Sequence, residues 1–330
     1  MGVLLDSIAP KPLPVPRTSE LLGSELQRLA RSGELDLPMP GQGHTPARWA
    51  ALAALGRTDL TLARLAEGHV DALAILAEAG QLPASDALYG VWAARSGGTG
   101  ARLVDGRLTG TVRFCTGANM LDRALVAAQD GDTGWLVEVD LHGLGIQRDQ
   151  DTWQAIGMDA SDSIDVRFDL PVTQDQLVGG PGWYVGRRGF ALGGAGVAAV
   201  WLGGVAAVLD SVIGMLLDAP TVDEHQYAHL GALTAALRST EALLDSAART
   251  IDLTPSADPT RLTKTCKSAA ERAAWETLDR VPRITGPTPL CRDRRFAQQL
   301  ADLQVYVRQH HAEKDLAVLG HVVLDAERRR

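Results

Sequence analysis

Apolar positions along the first eighty residues recur with the period of a helix. Leu21, Leu22, Leu26 and Leu29 share one face, with Thr18 or Ser19 as the N-cap and Gly33 as the stop. Thr45-Pro46 opens a second helix, with Thr45 as expected N-cap and proline at the first helical position. It carries Trp49, Leu52 and Leu55 and ends at Gly56. A third helix, capped by Thr58 or Asp59, shows one broad face of Leu62, Leu65, Ala66, His69, Leu73 and Leu76. His69 in that stripe reads as a packed, hydrogen-bonded core histidine. Beyond Gly80 the period changes to two. Short β-rich runs fall at 88–94, 101–104, 108–114, 124–128, 135–139, 146–148 and 163–168, punctuated by Gly97-Gly98, Asp105-Gly106, Asp130-Gly131 and Gly143. Asp105-Gly106 between two runs is a hairpin signal. After about Gly182 the pattern is helical again, over 190–217, 227–251, 258–280 and 296–308, with Pro220, Pro255 and Pro282 between. The expectation is an α+β chain. It has a helical N-terminal segment (1–85), a small central β-barrel (86–175) and a C-terminal antiparallel four-helix bundle (176–330).

Composition narrows the functional classes. The 330 residues are 45% hydrophobic and carry a net charge of −8, which argues against binding nucleic acid by phosphate neutralisation. Cys115, Cys266 and Cys291 are odd in number and widely spaced, so neither a disulfide framework nor a zinc site is expected. Alternating prolines from Pro10 to Pro16 predict an extended arm. The first residues lack the basic flank and apolar run of a signal peptide, and Asp6 stands where a myristoylation motif wants Ser or Thr. A cytoplasmic location is the default expectation.

Three signals carry candidate chemistry. Phe190–Leu209 is 20 residues without a charge, long enough to span a membrane. Its glycines suit close helix packing instead, so a buried bundle helix is expected, with no membrane partner. Gly194-x-Gly196-x-x-Ala199 matches a dinucleotide fingerprint, but no strand precedes it and helices follow, so a Rossmann site is not expected. His310-His311 lies beside Arg308, Glu313 and Asp315. Adjacent histidines on a helix diverge, which disfavours a shared metal. Either could act as acid or base near neutral pH.

Several segments together resemble the acyl-CoA dehydrogenase family. Gly106-Arg-Leu-Thr-Gly-Thr-Val-Arg-Phe-Cys-Thr-Gly-Ala118 and Asp122-Arg-Ala-Leu-Val-Ala-Ala128 resemble its central β-domain. Trp153 to Met158 and Ser163-x-Asp-Val-x-Phe-Asp-x-Pro-Val172 resemble that domain's closing strands. Gly182-Trp, Gly189 and the Ala-rich helix beyond resemble entry into its C-terminal bundle. Arg283-Ile-Thr-Gly-Pro-Thr-Pro-Leu-Cys-Arg-Asp293 resembles its glycine turn. The likeness spans roughly residues 45 to 320.

The resemblance implies FAD, with FMN as the alternative, held between the β-domain and the bundle. It places Phe114, Cys115, Thr116 and Gly117 along the flavin, with Thr116 bonding its ring and Trp92 and Ala94 on the neighbouring strand. It implies a dehydrogenase acting on acyl-CoA or another small carbon acid, assembled as a homodimer or homotetramer and served by an electron-transfer flavoprotein. The family's catalytic glutamate is not evident. With Ala301-Asp302 matched to the family's Arg-Asp pair, the base position falls near His310; a second base position falls near Arg187 or Arg188. The strand that commonly reads Thr-Glu-Pro is Trp92-Ala93-Ala94. The N-terminal helical segment looks short, with about three helices. Arg308-x-His-His311-x-x-x-Asp315 resembles instead flavin monooxygenases of the same fold, which take reduced flavin from a reductase. His310 or His311 is then the expected catalytic group. A third expectation is a non-catalytic partner subunit.

Overall fold

A computed structural model describes residues 4–5, 13–311 and 313–328. The arm expected across Pro10 and Pro12, and the readings on the first residues, lie outside the described residues. Helix α1 (Ser19–Arg31) starts where Thr18 accepts the Leu21 N–H, and it buries Leu22, Leu26 and Leu29. Helix α2 (Thr45–Thr58) begins one residue earlier than the cap rule predicted. His44 occupies the N-cap position, and Thr45 is already helical. The Thr45 hydroxyl is drawn away from the helix by a tertiary partner, donating to Asp252 at 2.6 Å. Helix α3 (Leu60–Glu78) is capped by Asp59, which accepts the Thr61 and Leu62 N–H groups.

Seven strands form one mixed sheet: β1 (Tyr89–Trp92), β2 (Gly100–Val104), β3 (Arg107–Cys115), β4 (Arg123–Asp130), β5 (Thr133–Asp140), β6 (Ile146–Asp149) and β7 (Ile164–Pro171). One edge of β4 pairs in parallel first with β1 and then with β2; its other edge pairs antiparallel with β5. From β2 the order continues through β3 and β7 to β6. The β2–β3 hairpin turns at Asp105 (φ 50°) and Gly106 (φ 70°), as a two-residue turn with both central residues left-handed. The expected barrel is not closed by strand pairing: β5 and β6 do not pair among the described residues. The segment after β7 occupies the β5 edge instead, with the Val178 N–H on the Leu136 carbonyl at 2.9 Å and the Gly182 N–H on the Gly134 carbonyl at 2.7 Å.

The rest is helical: α4 (Trp183–Gly186), α5 (Arg188–Asp218), α6 (Glu224–Leu253), α7 (Thr260–Thr285), α8 (Pro287–Arg292), α9 (Arg294–Tyr306) and α10 (Glu313–Arg328). Helix α5 is long and apolar enough to cross a membrane, yet it is packed by α2, α3, α6, α7 and α9. Its glycines explain how. A Cβ on Gly203 would lie 2.0 Å from the Ala53 carbonyl oxygen, and one on Gly56 would lie 2.1 Å from that of Val200. The α2 and α5 backbones therefore touch, which only glycine permits. The dinucleotide-like glycines sit inside α5, with no strand before them. One apolar cluster runs through the helical and β segments alike, anchored by Trp49, Phe168, Trp201 and Phe296. Helix α10 extends beyond the expected bundle, and its buried residue among those described is Asp315.

Candidate functional site

The end of β3 is irregular, and that irregularity sorts the predicted flavin residues. Its pairing with β7 slips between Val112 and Cys115. Phe114 sits at φ 58°, a costly region for an aromatic residue, and its side chain is half exposed. Cys115 turns the other way and is fully buried, its thiol on the Val112 carbonyl at 3.3 Å. Burial pushes that thiol well above its ordinary range, so it is a core group and not a reactive one. Thr116 is nearly buried. Its carbonyl accepts the Trp92 Nε1–H at 3.0 Å, and its hydroxyl accepts from Ser163 at 3.0 Å. The Gly117 N–H donates to the Ser161 carbonyl at 2.9 Å. A Cβ on Gly117 would lie 2.9 Å from both Leu65 and Leu121, at φ 76°, so no other residue fits. Trp92 is a buried prop, tilted against Phe168. The structure thus joins Trp92, Thr116 and Gly117, projects Phe114 outward and takes Cys115 into the core.

Against this edge lies α3, across a crevice of about 10 Å³, the space of one water. Arg64, Leu65 and Gly68 line it with Gly90, Trp92 and Thr116. Arg64 pairs with Glu67 one turn on, and Glu67 accepts the Tyr306 hydroxyl at 3.3 Å. Burial, reinforced by the nearby Asp71 charge, raises the Glu67 carboxyl, against the pull of Arg64. Asp71 meets Arg48 at 2.7 Å and Glu78 meets Arg187 at 2.9 Å. Residues 64, 67, 71 and 78 fall on one helical face. Glycine on α5 makes room for it: a Cβ on Gly193 would lie 3.0 Å from Asp71 Oδ2, and one on Gly189 would lie 2.0 Å from Glu78 Oε1. This charged stripe was missed because the leucine face dominates the local pattern. Its signal was charge at helical spacing opposite a Gly-rich helix.

Beyond Tyr306 the polar tract continues into the bundle. The Tyr306 ring meets Trp201 edge-on, centroids 6.1 Å apart, and Lys267 Nζ lies 5.7 Å from the Trp201 centroid. Lys267 donates to the Gln309 carbonyl at 3.3 Å. His310 follows, buried, with Nε2 at 3.2 Å from the Ser268 hydroxyl. Burial holds its pKa below the ordinary histidine value, despite Glu271 and Asp315 nearby. His311 is exposed, and its backbone N–H donates to Asp315 at 3.2 Å. The two histidines therefore separate, one into the protein and one into solvent. Arg308 stacks on Trp275 at 4.2 Å. His310 is linked to Trp92 and Thr116 through intervening residues, not by contact.

Four nitrogens along this tract are buried without a partner: Arg64 Nε, Arg187 Nε, Trp201 Nε1 and His310 Nδ1. Buried polar groups are otherwise almost always paired. Acceptor atoms from a bound group would satisfy the arginine and indole donors, whereas the need at His310 Nδ1 follows its tautomer. Phe114 supplies an exposed aromatic face beside the tract, and Thr116 keeps a hydroxyl proton to donate.

No protein-family model matches the chain, and no curated protein does. Solved structures do match. The complex of TdsC from Paenibacillus sp. A11-2 with FMN and indole is 18% identical, covering 93% of this chain and 96% of that one, with a TM-score of 0.72. Nitrososynthase from Micromonospora carbonacea var. africana is 16% identical over 93% of each chain, with a TM-score of 0.77. The chain has their fold. Methanesulfinate monooxygenase MsuC from Pseudomonas fluorescens adds 17% identity over 95% of this chain and 98% of that one, at a TM-score of 0.70. At such identities the likeness establishes architecture alone, in keeping with the acyl-CoA dehydrogenase-like expectation. The matches also run almost end to end, so the short helical segment does not set this chain apart from these structures.

Proposed function

We propose that the protein is a flavin-dependent monooxygenase that uses FMN and oxidises a small organic substrate, with His310 as its acid–base group. One observation carries this reading. The position expected to hold the dehydrogenase glutamate holds instead a buried imidazole with one free ring nitrogen. The structural neighbours lend support, since TdsC was solved with FMN and MsuC is a monooxygenase.

When bound, the flavin supplies the activation of dioxygen. The protein's own residues do the rest. Phe114 offers a flat face, and Thr116 and the Arg64 Nε–H offer donors to an acceptor edge. His310, kept neutral by burial, can accept or give a proton at Nδ1 while Ser268 orients the ring. Burial of Tyr306, Trp201 and His310 excludes water from that end. A second copy of the chain covering the exposed Phe114 face, and a reductase delivering reduced flavin, complete the proposal.

The test is anaerobic reduction of the FMN-loaded protein, followed by stopped-flow mixing with dioxygen and, separately, with acyl-CoA. Reoxidation altered at least tenfold in His310→Gln, with FMN affinity within twofold of the parent, supports the reading. Bleaching of oxidised flavin by acyl-CoA overturns it in favour of a thioester dehydrogenase, as does reoxidation unchanged by the substitution.

A further inference from the structure

We infer that the protein has a second ligand site, apart from the tract above, built to take a small monocarboxylate with an apolar body. The site is a cavity of about 310 Å³ between residues 13–17, the α2–α3 turn, α5 and α9. That volume is at the low end of small-molecule pockets. The cavity shares no lining residue with the crevice at Trp92 and Thr116. Leu13, Val15, Leu60 and Ala207 make apolar walls, and Gly56 and Gly204 add no side chain.

The polar end is set by Arg17, whose side chain is 5% exposed. Its terminal nitrogens are spent on Asp59, on Asp302 at 2.6 Å and on Asp159 at 3.3 Å. Its Nε is buried and has no partner. The carboxylates around it have no such vacancy. Asp59 Oδ1 accepts the Thr61 and Leu62 N–H groups, at 2.8 and 2.9 Å. Asp302 Oδ1 accepts the Met158 N–H at 2.6 Å and the Gln298 amide at 3.0 Å. The unmet need at this end is therefore for an acceptor, which excludes a cationic ligand. At the rim, Arg295 meets only the Leu13 carbonyl among the described residues, at 2.8 Å. Asp210 is already tied to Arg57 at 2.7 Å. An incoming carboxylate thus finds the spare donors of Arg295 at the rim and the Arg17 guanidinium in the wall, its Nε sealed but unmet, and its body finds apolar walls. A neutral apolar guest would leave the Arg17 nitrogen unmet.

The test is isothermal titration of the full chain with benzoate, and with benzamide as its uncharged isostere. Saturable one-to-one binding of benzoate is expected, at least tenfold tighter than benzamide. Arg295→Gln should weaken benzoate about tenfold. Ala207→Leu fills the cavity and should abolish binding; Ser211→Leu does the same from the more open wall, should the first variant fail to fold. No benzoate binding at millimolar concentration, equal affinity for benzamide, or benzoate affinity unchanged in the filled variants would overturn the inference.

Discussion

His69 on α3 and His310 beyond α9 are both buried, 4% and 5% exposed, and burial lowers the pKa of both. Their hydrogen bonding differs. His69 Nδ1 accepts the Tyr89 backbone N–H at 3.1 Å and so pins the start of β1 to α3. His310 shares one nitrogen with Ser268 and leaves the other bare. The surroundings follow suit: apolar side chains and a strand start around His69, and an unpaired indole, a lysine and an ion pair along the tract that ends at His310. A buried histidine with its bonds made is part of the scaffold. One with a bond missing, in a tract where other bonds are missing, is what the proposed function uses.

The largest expected effect breaks the scaffold side of this contrast away from either histidine. Asp302→Ala strips Arg17 and the Met158 N–H of a buried acceptor and should cost about 3–5 kcal/mol, read by chemical denaturation at constant pH. Next comes His69. Its folded pKa is about 4 against an unfolded value near 6.5, so the unfolded chain binds more protons between those limits. Its contribution is complete above about pH 6.5 and is lost as pH falls to 4, amounting to about 3 kcal/mol. His69→Gln keeps an acceptor for the Tyr89 N–H and should flatten that acid limb in a pH series of melts. Asp302, pushed by burial up to about 6, slopes oppositely: its protonated form favours folding, and that gain fades as pH rises through 6. The comparison is therefore variant minus parent at each pH.

Smaller effects sharpen the contrast. Gly203→Ala forces α2 from α5 and should destabilise by about 1–3 kcal/mol, measured as a lowered Tm. His310→Gln should shift stability by less than about 1 kcal/mol, because the imidazole makes a single side-chain bond. A loss as large as that of His69→Gln above pH 6.5 would place His310 in the scaffold instead.

Much of the frame was legible locally. The Asp105-Gly106 turn, the period-two runs and the α5 glycines each carry their own geometry, and each appears where its pattern predicted. What failed depends on distant partners. Thr45 left the cap position for Asp252, 207 residues away. The barrel stayed open in its strand pairing because the segment after β7 took the β5 edge. Of the proposed site, Thr116, Gly117 and His310 were expected from the sequence. The opposite fates of Phe114 and Cys115 depend on a bulge that no residue type announces. The charged face of α3 and the Arg17–Asp302 pair, 285 residues apart in the chain, join side chains that no short window contains together.

The most direct measurement is the absorption and reoxidation spectrum of the FMN-reconstituted protein beside its His310→Gln and His69→Gln forms. The account predicts flavin binding in all three, with the rate of reaction with dioxygen changed at least tenfold only in the His310 variant. Equal rates in all three, or absence of flavin binding by the parent, would contradict it.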